Sequence, residues 1–203
     1  MKVKVCGLKQ IRNINEIADA GADLAGIIFY SKSPRFVSDS LDFDEVRNVK
    51  IKKAGVFVNE NTESIVKKIA NYGLDFVQLH GNESPEVCKE LMSHSKVIKA
   101  FGIDSKFDFE KLNAYKGCVD YFLFDTATPN YGGSGKSFDY DLLTKYDLNI
   151  PFIISGGISA GSIQAIRNIK HKHLYGVDIN SRFEISPGLK DVKKVEQFIK
   201  QLR

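Results

Sequence analysis

Lys53-Ala54-Gly55-Val56-Phe57-Val58, then Asn59-Glu60-Asn61, then Thr62 to Tyr72 with Ile65 and Ile69 one turn apart, is the run from which the fold is read. The first segment is short, apolar and rich in residues that suit a buried strand, and the third returns its apolar residues at helical spacing. Asn61 stands between them as a helix start signal, because its side-chain oxygen can accept from the free N–H groups of a first turn. The run therefore predicts one strand followed by one helix.

The same unit recurs along the chain. Strands are predicted near 2–6 (KVKVC), 24–29 (LAGIIF), 53–58 (KAGVFV), 76–80 (FVQLH), 96–101 (KVIKAF), 121–125 (YFLFD), 151–155 (PFIIS) and 174–179 (LYGVDI). Helices are predicted near 10–20, 42–49, 61–72, 84–93, 106–115, 139–146, 159–169 and 191–202, the fifth and sixth with the weakest patterns. Nearly continuous apolar strands alternating with amphipathic helices indicate a parallel sheet covered by helices. Eight such units in 203 residues, uninterrupted by a linker or low-complexity stretch, predict a single (β/α)8 TIM barrel over 1–203.

Composition narrows the function classes. No apolar run approaches the roughly 18 residues of a membrane span, and the N-terminal residues enter a strand pattern directly, so a cytoplasmic protein without membrane contact is expected. A net charge of +4 with scattered lysines argues against nucleic acid as the main partner. Cys6, Cys88 and Cys118 match no zinc spacing and are expected to be thiols, and no metal is expected.

In a parallel barrel the C-terminal ends of the strands share one rim, where the following loops build the active site. Cys6 ends the first strand; a thiol there serves as base or nucleophile only if locally activated, and otherwise fills space as a small apolar group. Asp125 ends the apolar run Tyr121 to Phe124, where it is either a cap or a carboxyl whose pKa burial raises into the range of a general acid. Arg35, in Ser33-Pro34-Arg35-Phe36, offers a forked guanidinium to a carboxylate or phosphate, and is otherwise solvated. His80 is open to three roles: core residue, ligand contact or proton carrier. Asn130 to Ser137 ends in Gly-Lys-Ser but has Asn130 where a nucleotide loop needs its first glycine, so Gly133 and Gly135 are read in a loop that closes over substrate. Gly156-Gly157 and Asp178 to Ser181, including Asn180, fall in the two loops that most often bind phosphate in such barrels.

Taken in order, Lys4-Val5-Cys6-Gly7-Leu8, Lys32-Ser33-Pro34-Arg35, Gly55 to Asn59, Gln78-Leu79-His80-Gly81-Asn82-Glu83, Tyr131 to Gly135, Ser155-Gly156-Gly157, Gly176-Val177-Asp178 and Pro187-Gly188-Leu189-Lys190-Asp191 resemble the phosphoribosylanthranilate isomerase family. The resemblance covers essentially the whole chain. It implies a cofactor-free Amadori rearrangement in tryptophan biosynthesis on a small phosphorylated substrate, by a monomer or homodimer. It further implies that Cys6 is the general base and Asp125 the general acid, with Arg35 and His80 near the anthranilate end. The phosphate then falls to Gly156, Gly157, Asp178, Asn180 and Ser181.

One position departs from the family pattern: Arg182 stands where a glycine is usual between the small polar residues and Glu184. Two rival readings are a histidine-pathway isomerase of the same fold, which Cys6 argues against, and a silent barrel that only binds a phosphorylated metabolite.

Overall fold

A computed structural model describes residues 1–37, 41–126 and 139–203. Its centre is a closed barrel of eight parallel strands: β1 (Lys2–Cys6), β2 (Leu24–Ile28), β3 (Lys52–Phe57), β4 (Phe76–Leu79), β5 (Lys96–Ile103), β6 (Tyr121–Thr126), β7 (Phe152–Ile154) and β8 (Leu174–Ile179). The ends of the sheet meet where β1 pairs with β8, Lys2 opposite Gly176 and Lys4 opposite Asp178. A closed sheet leaves no edge strand exposed.

Alternation along each strand divides the core in two. Val3 and Val5, Ala25 and Ile27, Phe122 and Phe124 face outward into the large apolar layer under the helices. Leu24, Ala54, Phe76, Ile98, Leu123 and Ile153 face inward and plug the barrel. Above that plug, nearer the C-terminal rim, Cys6, Ile28 and Val56 form a smaller apolar group.

The outer layer contains α1 (Ile11–Asp19), α2 (Phe43–Asn48), α3 (Thr62–Tyr72), α4 (Pro85–Leu91), α5 (Ile163–Asn168) and α6 (Val192–Leu202). The start signal at Asn61 is realised: its side chain accepts from the Ser64 N–H at 2.7 Å, and Gly73, with φ of 60°, closes α3 in the left-handed conformation.

Two expected α-helices are instead 3-10 segments, Phe109–Tyr115 and Tyr140–Lys145. The cause lies in the spacing. Phe109, Leu112 and Tyr115, like Tyr140, Leu143 and Tyr146, recur every third residue and pack on the outer core, which matches the three residues per turn of a 3-10 helix. The expected seventh helix divides into a 3-10 turn, Ala160–Ser162, and α5. A small antiparallel hairpin, β9 (Glu184–Ser186) with β10 (Leu189–Lys190), adds an element the sequence reading did not contain.

Candidate active site

The rim formed by the C-terminal ends of the strands encloses a cavity of about 320 Å³. Cys6, Arg35, His80, Asp125, Gly156, Gly157, Asp178, Asn180 and Ser181 all line it. Gly133 and Gly135, expected to close over substrate, lie outside the described residues.

Cys6 reaches the cavity because it is an inward residue at the last position of β1, between the outward Val5 and the turn at Gly7. Gly7 has φ of +80°, and a Cβ there would stand 2.6 Å from Arg35 Cδ, so this turn tolerates only glycine next to the arginine. Burial pushes the Cys6 thiol up from its ordinary value, against the opposing pull of Lys4 and Lys190.

Asp125 is the inward residue at the top of β6, since Phe122 and Phe124 take the outward positions. Burial raises its carboxyl to about 6, while the Thr126 N–H, donating to Oδ1 at 2.8 Å, partly offsets the shift. Gly156 packs directly behind it with φ of +94°, and a Cβ there would lie 2.2 Å from Thr126 Oγ1 and 2.7 Å from Asp125 Oδ1.

His80 follows β4, with Nε2 at 3.7 Å from Asp125 Oδ2, too long for a hydrogen bond. Burial and the neighbouring Lys4 and Lys99 lower its pKa to about 4, so the ring is neutral near pH 7. Gln78 Nε2 lies 2.9 Å from His80 Nδ1, so the Gln78 amide holds the ring in place.

Arg35 is held rigidly. Its Nε and Nη2 donate to the two carboxylate oxygens of Glu184 at 2.8 and 2.7 Å, and the residue lines the cavity. Burial would raise the Glu184 carboxyl, yet Arg35 and Lys190 together hold it down to about 2. Lys190 Nζ also donates to Asn180 Oδ1 at 2.6 Å, so the β9–β10 hairpin braces both Arg35 and the loop after β8.

Asp178, expected near the phosphate, lines the cavity. Its carboxylate is buried and accepts from Lys4 Nζ at 2.8 Å, and an anion paired in this way supplies no donor to a phosphate. The glycine pair fits that role better: Gly157 has φ of +64° beside Gly156, and with no Cβ on either residue an anion can approach the backbone N–H groups. Arg182, the departure from the family pattern, also lines the cavity.

Lys4, Gln78, Glu184 and Lys190 belong to this site and were not singled out from the sequence. For Lys4 and Gln78 a signal existed, since each is a polar residue at an inward position flanked by apolar neighbours in its strand. Among the described residues, Gln78 Oε1 and Asp178 Oδ1 are buried side-chain atoms without a partner, and both residues line the cavity, as expected where a polar ligand completes the bonding. Among the described residues no group of three or more His, Cys, Asp or Glu side chains is arranged to hold a metal ion. No helix among them is long and apolar enough to cross a membrane.

A parallel barrel whose catalytic rim carries a buried thiol, a carboxyl near pKa 6 and a glycine-pair turn defines a (β/α)8-barrel enzyme equipped for acid–base chemistry. The family described as N-(5'-phosphoribosyl)anthranilate isomerase matches residues 3–201. The chain belongs to that family and is an isomerase of tryptophan biosynthesis. Its similarity to the enzyme of that name from Parabacteroides distasonis is 48% identity, covering 100% of this chain and 93% of the relative. Among solved structures, the phosphoribosyl anthranilate isomerase of Thermotoga maritima is 32% identical with a TM-score of 0.84, covering 100% of this chain and 98% of that one. Another phosphoribosyl anthranilate isomerase, in complex with reduced 1-(o-carboxyphenylamino)-1-deoxyribulose 5-phosphate, is 29% identical with a TM-score of 0.81 and covers 100% and 98%.

Proposed function

We propose that this chain converts N-(5'-phosphoribosyl)anthranilate to 1-(2-carboxyphenylamino)-1-deoxyribulose 5-phosphate with Asp125 as general acid and Cys6 as general base. The observation that carries this assignment is the thiol and the carboxyl lining one cavity from different strands, β1 and β6. With its pKa at about 6, Asp125 is protonated in roughly one molecule in ten at pH 7, enough to donate and regain a proton each turnover.

Donation from Asp125 to the ribose ring oxygen opens the furanose to a protonated Schiff base. The positive nitrogen acidifies the proton on the adjacent sugar carbon, and the Cys6 thiolate removes it. The resulting enolamine tautomerises to the ketone, so the protein supplies one acid, one base and an orientation. Neutral His80, held by Gln78, forms part of the cavity wall beside the acid.

Orientation comes from the two ends of the substrate. The apolar group of Ile28 and Val56, with Arg35 beside it in the cavity wall, suits an aromatic ring bearing a carboxylate. Gly156, Gly157, Asn180 and Ser181 take the phosphate at the other end. This chemistry requires neither a metal nor a nucleotide, and the protein works in the cytoplasm as a monomer or homodimer.

The test follows the fluorescence of the anthranilate adduct. Purified protein given fresh substrate is expected to quench the signal, and Cys6→Ala and Asp125→Ala are each expected to slow the decay by about a hundredfold or more. Undiminished turnover in either variant removes that residue from its role.

A further inference from the structure

Lys4 is a charged residue where a barrel strand ordinarily places an apolar one. It points into the barrel from β1 and is 2% exposed, and its Nζ donates to Asp178 Oδ2 at 2.8 Å. The second carboxylate oxygen of Asp178 is buried without a partner. Burying such a pair is costly and stabilises a fold little compared with apolar packing, so its position calls for an explanation in chemistry.

The geometry around Gly26 supplies one. A Cβ on this glycine would stand 2.9 Å from Cys6 Sγ and 3.1 Å from Lys4 Nζ, so thiol and ammonium converge on the space that the missing side chain leaves open. The positive charge of Lys4 favours the ionised thiol, and Asp178 holds the ammonium in place. The charge of Lys4 also reaches His80 and Asp125, both of which line the cavity. The other charged groups acting on Cys6 are Asp178 on β8, Lys190 on β10 and Arg35 after β2.

We propose that Lys4 is a positioning residue for the isomerisation: its ammonium, tethered by Asp178, is the counter-ion that lets Cys6 stand as a thiolate, and Asp178 limits how strongly it does so. The proposal rests on the reading of Cys6 as the base. It has a consequence that an ordinary structural ion pair lacks, because the two partners act on the thiol with opposite signs. Lys4 favours the thiolate and Asp178 disfavours it. Removing the cation should make Cys6 harder to ionise; removing the anion should make it easier.

Alkylation by iodoacetamide reads this without substrate, since only the thiolate reacts. The full chain carrying Cys118→Ser is used, because Cys88 is fully buried with its thiol pushed up to about 12 and Cys118 is partly exposed. Modification of Cys6 is followed by mass spectrometry from pH 6 to 10, and far-ultraviolet circular dichroism checks folding. Lys4→Met is expected to move the midpoint upward by about one pH unit, slowing alkylation near neutrality about tenfold. Asp178→Asn is expected to move it downward by a similar amount, and Lys4→Arg to stay near the parent protein. Equal midpoints in all variants, or shifts of the same sign for Lys4→Met and Asp178→Asn, overturn the proposal. Should Lys4→Met not fold, slower alkylation in Asp178→Asn overturns it alone. Full turnover by Cys6→Ala would instead refute the isomerase assignment of Cys6 and leave the alkylation result standing.

Discussion

Replacing Lys99 by methionine tests how the wall of the cavity is held. Lys99 sits on the outward side of β5, 1% exposed, and its ammonium donates to the carbonyls of Leu79, Gly81 and Ala100 at 3.3, 2.8 and 3.1 Å. It also pairs with Glu83 at 3.1 Å, and Glu83 in turn accepts from the N–H groups of Asn59 and Gly81. This knot ties the loop after β3 to the loop after β4, which begins with His80. Methionine would fill most of the volume but leave the Glu83 carboxylate buried beside carbonyls that have lost their donor. Breaking one side of a buried pair costs about 3–5 kcal/mol. For a chain of this size each kcal/mol lowers the melting temperature by about 2–4 °C, so the expected drop is roughly 6–20 °C. Thermal unfolding at pH 7.5 measures it, and the double variant Lys99→Met with Glu83→Gln should regain a substantial part, because the stranded charge is gone. A loss of only a degree or two in the single variant, or no recovery in the double, would refute this account.

Asp125→Asn is expected to inactivate the enzyme and stabilise it. Burial raises the folded-state pKa from 3.8 to about 6, so folding favours the protonated form, and stability is lost as the pH rises from about 4 through 6. Above pH 6 the ionised carboxyl costs on the order of 2–3 kcal/mol that an amide avoids; melting curves of the two proteins should separate at pH 8 and converge near pH 4, and a less stable variant at pH 8 would contradict the argument. Gly156→Ala combines a left-handed φ of +94° with a Cβ 2.7 Å from Asp125 Oδ1, so it should cost about 1–3 kcal/mol of stability and lower kcat at least about tenfold. Unchanged kcat in a folded protein would show that the glycine does not position the acid.

The barrel was legible because buried parallel strands leave unbroken apolar runs, such as Phe122-Leu123-Phe124 in β6, and because a cap such as Asn61 marks a helix start by chemistry. The 3-10 segments were not, since Phe109, Leu112 and Tyr115 satisfy a loose helical pattern while their strict spacing of three suits the tighter turn. The hairpin β9–β10 has no apolar alternation to announce it; Glu184 and Lys190 hold it by pairing with each other, by the ion pair of Glu184 with Arg35 and by the hydrogen bond of Lys190 to Asn180. For the site, reading residues at strand ends located Cys6, Asp125 and the glycine pair, which line the cavity together. That procedure passes over residues one step deeper, and Lys4 and Gln78 lie there. Asp178 was assigned by loop position and family resemblance, and its partner Lys4, distant in sequence, shows why a carboxylate is tolerated at that depth.

The first strand divides its labour by parity. Val3 and Val5 answer to the surrounding helices, while Cys6 answers to whatever enters the mouth and Lys4 to the charges beneath it. Because the two sets interleave yet face opposite directions, selection can retune reactivity at even positions without loosening the scaffold at odd ones. Deleting a single residue between Met1 and Cys6 would instead exchange the two sets at a stroke, so this short segment should tolerate substitution far better than any change of length.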